Sequence, residues 1–316
     1  MPFHPGQAMK LCSISVCVCV VLAQAVSGQK APDSGPRDFR LSVDVDLVTF
    51  NVTVSDTKGH PVKGLSKDDF HIIEAGQDQT IQFVRPEDTP ATVGLVIDNS
   101  GSMRRKRSDV IDAAVAFAEA GNPQDEIFIV NFNERVSMGL PAEMAFTSDL
   151  NQLRAALGNT RAEGKTALYD AVAAALKHVQ TGTQQRKALV VISDGGDNAS
   201  GATESDVLAL AEQSNATIYT IEIDDPDDKD QNPKVLQDLE RLTAGEAYRA
   251  KSLDELPGIW RKIAGGIRDQ YTIGYIPANR THDGTFRNVK VIAVGKDGKA
   301  LHVRARKGYI APSLSQ

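Results

Sequence analysis

Three short stretches of the chain place oxygen donors at spacings that suit a cation. The first holds Asp98, Ser100 and Ser102, in "GLVIDNSGSM". Alternate residues of an extended segment point the same way, so these three side chains can converge. Gly101 lets the backbone bend between them. The second holds Thr166, in "GKTALYD", just after a glycine-containing loop. The third holds Asp194, in "LVVISDGGDN", where Gly195 and Gly196 turn the chain away. Two carboxylates and three hydroxyls, with no His or Cys, form a hard donor set. Such a set suits Mg2+, with Mn2+ or Ca2+ as the other candidates, and not zinc. Mg2+ takes about six oxygens at roughly 2.0–2.1 Å and usually keeps waters, so five protein oxygens leave a position for an outside ligand. Two carboxylates also balance the charge of a divalent ion.

Each stretch has a plainer explanation when taken alone. Asp, Ser and Gly are common turn residues. Thr166 suits a helix cap, and Asp194-Gly195 suits a turn. The cation reading rests on all three falling, in order, behind suitably placed strands and loops.

The elements that would position them run from about Ala91 to Asp269, where strands alternate with helices. Mainly apolar, β-branched runs such as "TVGLVID", "DEIFIVNF", "KALVVISD" and "ATIYTIEI", and a shorter "EAYRA", read as strands covered on both faces. Between them, "DVIDAAVAFAEA" puts Val110, Ala113, Ala114 and Phe117 on one stripe. "TALYDAVAAALKHV" does the same with Leu168, Val172, Ala175, Leu176 and Val179. "SDLNQLRAAL" and "TESDVLALAEQS" have Ser or Thr near their starts as caps. "NPKVLQDLERLT" is a further helix. The last, Leu256 to Asp269, turns Ile259, Trp260, Ile263 and Ile267 inward. This alternation implies an α/β fold with a doubly wound, mainly parallel sheet, which binds ligands at the carboxyl ends of its strands.

The flanks, 38–90 and 270–316, are β-rich. Leu41, Val43, Val45 and Leu47 share one face, and Val48, Phe50, Val52 and Val54 continue on the opposite parity, which suggests a bulge near Leu47. "FHIIEAGQDQTIQFV" reads as a hairpin around Ala75 to Asp78. Lys296 to Gly298 reads as another hairpin turn. The α/β unit opens with a strand and closes with a helix, so both flanks emerge at one edge. They are expected to form one β module at the edge opposite the strand C-termini.

"DNSGSM", "GKTALYDA" and "VVISDGGDN" resemble the three segments of the metal-ion-dependent adhesion site (MIDAS) of von Willebrand factor A domains, over about 91–269. The resemblance implies that Asp98, Ser100, Ser102, Thr166 and Asp194 coordinate the ion and that a partner's Asp or Glu completes the shell. The flanks, among them "LVTFNVTVSDTKGHPVKGLSKDDFHIIEAG" and "VRARKGYIAP", resemble a bacterial subgroup, the von Willebrand factor A-related proteins abundant in Acidobacteria.

The 316 residues carry a formal charge of −6, which gives no support to nucleic-acid binding. Residues 1–25 read as a secretory signal peptide, with an apolar run from Leu11 to Ala23 too short to span a membrane. Residues 26–37 read as a linker. Cys12, Cys17 and Cys19 all fall inside the signal, so the mature chain has no disulfide and no thiolate site. No second apolar stretch is long enough to span a bilayer. The expected product is periplasmic or extracellular, with its oligomeric state open.

Competing signals are weaker. "GNTRAEGKT" has five residues between Gly158 and Gly164 where a phosphate loop needs four, and a helix precedes it. Asp98 as a phosphatase-like nucleophile would want a second acid where Ser100 stands, and no nucleophile elbow exists. The run Arg104 to Arg107 opens the first helix. It reads as a solvated face or, through Arg104 and Arg105, as cations that steer an acidic ligand. "DDPDDKD" (224–230) reads as a solvated acidic loop. The expectation is a Mg2+-dependent protein-binding module and not an enzyme. A metal-free scaffold subunit and a metal-dependent hydrolase are the alternatives.

Overall fold

A computed structural model describes residues 47–86, 88–193, 196–224 and 233–313, all within one compact unit, Val45–Gln316. The expected signal and linker, strand residues 41–46 with the bulge inferred from them, Asp194, Gly195 and most of the acidic run lie outside the described residues.

In chain order, β1 (Val48–Ser55), β2 (Phe70–Glu74), β3 (Gln77–Gln79) and β4 (Ile81–Arg85) come first. The middle of the chain is β5 (Ala91–Asp98), α1 (Arg107–Ala120), β6 (Glu126–Phe132), β7 (Val136–Met138), α2 (Leu150–Gly158), α3 (Leu168–Val179), β8 (Arg186–Ser193), α4 (Glu204–Gln213), β9 (Thr217–Ile223), α5 (Pro233–Thr243), β10 (Ala247–Ala250) and α6 (Leu256–Arg268). Then follow β11 (Gln270–Tyr275), β12 (Phe286–Ala293), β13 (His302–Arg304) and β14 (Gly308–Ile310).

The central sheet has the order β10-β9-β8-β5-β6-β7. Its pairings are parallel except for β7, which runs antiparallel to β6 at the edge. The fold class is therefore α/β with a mostly parallel sheet. From β5 the chain steps to β6 on one side and later returns to β8 on the other. The winding direction reverses between β5 and β8, where open α/β sheets bind ligands.

Every residue of β5 and β8 is buried, as strands covered on both faces must be. Gly94, in mid-β5, allows this closeness. A Cβ there would lie 2.3 Å from Phe128 Cζ and 2.6 Å from Leu189 Cδ2. Helix α3 buries Leu168, Val172, Ala175, Leu176 and Val179. Helix α6 buries Ile259, Trp260, Ile263 and Ile267, with the Trp260 ring 4.9 Å from that of Phe117 on α1. Thr203 caps α4 and pairs reciprocally with Asp206. In α2 the cap is Asp149 rather than Ser148; its carboxylate accepts from the Asn151 and Gln152 N–H groups. An anion gains from the positive end of the helix dipole as well as from the hydrogen bonds.

The flanking strands form two antiparallel four-stranded sheets, β13-β1-β11-β4 and β14-β12-β2-β3. Both draw strands from each side of the α/β body. Phe50, Val52, Tyr271 and Ile273 of the first sheet share a core with Phe70, Ile72, Val289 and Val291 of the second. Residues 70–84 are not one hairpin. Ala75 (φ 48°) and Gly76 (φ 85°) turn β2 into β3, and β4 then joins the other sheet beside β11.

The segments that link sandwich and body meet at the start of β8. Arg186 is 1% exposed there. Its guanidinium donates to the carbonyls of Thr89 (3.3 Å), Ile267 (3.1 Å), Pro86 (3.4 Å) and Gln270 (2.5 Å). The Asp88 N–H donates to the Arg268 carbonyl at 2.8 Å. This is the sheet edge opposite Asp98.

Candidate metal centre

Asp98 is the last residue of β5 and is buried. Its Oδ1 accepts the Ser100 N–H at 2.8 Å, and its Oδ2 accepts the Ser193 hydroxyl at 2.6 Å. Ser193 ends β8, the strand beside β5, and Asp194 follows it in the chain. Ser100 Oγ and Ser102 Oγ lie 3.1 Å apart. The edge of an octahedron of oxygens at 2.0–2.1 Å is about 2.9 Å, close to that spacing.

A second loop closes onto the first. The Gly101 N–H donates to the Gly164 carbonyl (3.1 Å), and the Glu163 N–H to that of Asn99 (3.0 Å). Gly164 has φ +80°, in the left-handed region that glycine adopts without strain. The third loop holds Thr166 by its backbone. The Thr166 N–H donates to Asn198 Oδ1 at 2.9 Å, and the Asn198 and Ala199 N–H groups donate to the Thr166 carbonyl. Asp197 accepts from the Tyr169 N–H and the Ser200 hydroxyl, and Asp170 from the Gly201 and Ala202 N–H groups. Thr166 is thus not a helix cap: the cap position of α3 is Ala167, and no side chain bonds there. The structure brings the Asp98, Ser100, Ser102 and Thr166 loops into one hydrogen-bonded assembly. Asp194 lies outside the described residues.

The basic run divides. Arg104 Nε donates to the Ala162 carbonyl at 3.2 Å. Arg105 is exposed. Arg107 donates to the carbonyls of Gly158 (2.7 Å) and Thr160 (2.6 Å) and to Asn99 Oδ1 (3.2 Å). Asn99 also donates to Asn131 Oδ1, and Asn131 to the Ala156 carbonyl. This strut ties the Asp98 loop to the end of α2. Ser193, Asn198, Asn99 and Arg107 carry no signal in the spacing of the sequence, because their partners depend on strand register. One strand beyond Ser193 stands Glu222, whose carboxyl burial pushes up against the opposing pull of Arg249.

The donor chemistry fits a hard divalent ion. The described site residues offer a carboxylate and hydroxyls, and among the described residues no three His, Cys, Asp or Glu gather into a cluster of another kind.

Residues 93–196 match the family model of the von Willebrand factor type A domain. The match takes in the part of the α/β body from β5 through β8. Among solved structures, a von Willebrand factor type A protein from Catenulispora acidiphila aligns with TM-score 0.52 and 15% identity, over 84% of this chain and 74% of that one, a likeness of fold. Proximal thread matrix protein 1 from the mussel byssus, solved with a zinc-occupied MIDAS motif, aligns with TM-score 0.47 and 14% identity, over 56% of this chain and 48% of that one. The chain thus spans about half the length of the mussel protein. The pilus adhesin SpaC from Lactobacillus rhamnosus GG, in its open conformation, aligns with TM-score 0.47 and 14% identity, over 81% of this chain and 49% of that one. No curated protein matches the chain in sequence. Among the described residues, no helix is long and apolar enough to cross a membrane.

Proposed function

We propose that this chain is an exported protein-binding module in which Mg2+, or Mn2+ or Ca2+ in its place, joins Asp98, Ser100, Ser102, Thr166 and Asp194 to an Asp or Glu of a protein partner. The carrying observation is the buried Asp98 carboxylate at the switch point, with paired serine hydroxyls beside it and two further loops hydrogen-bonded around it. The ion, when bound, supplies a positive charge that a partner's carboxylate neutralises. The chain's own contribution is to hold the oxygens in place before the partner arrives.

Binding rather than turnover is favoured by the loops themselves. Residues 98–104, 158–167 and 196–203 contain neither His nor Cys, the commonest proton-transfer and nucleophilic groups. Arg104 is engaged with a carbonyl, which leaves exposed Arg105 as the better steering residue. Arg105→Gln is expected to lower the partner's association rate and flatten its salt dependence. Export rests on the apolar run from Leu11 to Ala23.

The test is calorimetric titration of the full protein with Mg2+, followed by pull-down from the native envelope in Mg2+ or EDTA. Asp98→Asn keeps an acceptor for the Ser100 N–H and removes the charge. It is expected to keep the wild-type circular dichroism and to lose both metal binding and metal-dependent capture. Wild-type Mg2+ affinity in this variant would sink the proposal.

A further inference from the structure

Arg306 is a half-buried cation without an acid among the described residues. Its guanidinium donates to the carbonyls of Ser214 (3.1 Å) and Thr49 (3.0 Å) and lies 4.5 Å from the centre of the Phe50 ring. Its Nε is buried without a hydrogen-bond partner. Among the described residues it forms no ion pair. Burial pushes the guanidinium down to about 10, so it stays charged at neutral pH. Buried charges are costly unless an opposite charge and hydrogen bonds compensate them, and here the opposite charge is missing.

Arg306 also lines a cavity of about 410 Å³, within the range of roughly 300–1,000 Å³ typical of small-molecule sites. Leu47, Val48, Ile310 and Pro312 give it apolar walls, and Arg280 stands on its exposed rim. Asn215, which also lines it, lies just before β9. The cavity therefore sits by the amino ends of the central strands, away from Asp98.

We infer that this cavity binds a monocarboxylate with a hydrocarbon body, its carboxylate taken by Arg306 and Arg280 and its apolar part by Leu47, Ile310 and Pro312. A guanidinium matches a carboxylate in shape and charge. A phosphate would turn additional charge toward the apolar walls. A free carboxylic acid and the C-terminus of a peptide share this chemistry. The inference is independent of the metal centre.

The experiment is an amide NMR titration of the full protein in EDTA with hexanoate, with N-acetyl-leucine as a mimic of a peptide C-terminus, and with inorganic phosphate. At least one carboxylate is expected to produce saturable shifts at Thr49, Asn215 and Ile310. Stronger binding of hexanoate would identify a free acid, and stronger binding of N-acetyl-leucine a peptide end. Arg306 also ties Ser214 to Thr49, so a variant there can lose the fold. Rim variant Arg280→Glu avoids this and is expected to weaken binding by about tenfold or more. No saturable shift from either carboxylate, undiminished binding to Arg280→Glu, or phosphate binding as tightly as the better carboxylate would each overturn the inference.

Discussion

Among the described residues, Asp98 accepts one donor from its own loop and one from the neighbouring strand. The second, the Ser193 hydroxyl at 2.6 Å, orients the carboxylate from behind. Partners of this kind typically change metal affinity by about 10–100-fold when lost. Ser193→Ala is therefore expected to weaken Mg2+ binding by about that factor with the fold intact, and Ser193→Thr to restore most of it. Equal affinities across the three proteins by calorimetry would remove Ser193 from this role. The residue types and spacing of Asp98, Ser100 and Ser102 are readable from the chain alone, because alternation along an extended loop is a local property. Ser193 and Asn198 stand within the same stretches, yet their partners lie on other strands and loops. Thr166, whose hydroxyl just ahead of a helix would also suit a cap, joins two loops through its backbone.

Among the elements, α2 and the loop after it are held to the Asp98 loop through Arg107. Its guanidinium spans Gly158, Thr160 and Asn99, an arrangement that needs a planar fork. Arg107→Ala is expected to cost about 1.5–3 kcal/mol in urea unfolding, and Arg107→Lys to recover only part of that. As one of four consecutive basic residues, Arg107 looks like surface charge in the sequence, since nothing local reveals carbonyls some fifty positions away. Gly94→Ala tests the packing over β5. The added methyl would meet Phe128 and Leu189, with an expected loss of about 1–3 kcal/mol. The buried strands β5, β6, β8 and β9 are legible as continuous apolar runs. Strand β7, at three residues, is too short to show a period. The path of β4 into a second sheet is decided by its pairing with β11, almost two hundred residues later.

In the molecule as a whole, Arg186 fastens both linking segments with four carbonyl contacts. Arg186→Leu leaves those carbonyls without their donor and is expected to lower stability by about 3 kcal/mol or more. The single tryptophan, Trp260, sits in α6 just before one of these segments, so its fluorescence in urea reports the change. An unaltered midpoint would show that the fastening contributes nothing. The sandwich reads differently once its connectivity is followed. Strands β4 and β11 are antiparallel neighbours, with Arg85 opposite Thr272, and everything from Pro86 to Tyr271 stands between those two residues in the chain. Where an ordinary hairpin has two residues, this one carries the entire α/β body. Loop-closure cost grows only with the logarithm of length, so the host strands tolerate a passenger of almost any size whose ends lie close together. The body is built as a cassette, entered and left at one point of the sandwich, where the Asp88 N–H meets the Arg268 carbonyl.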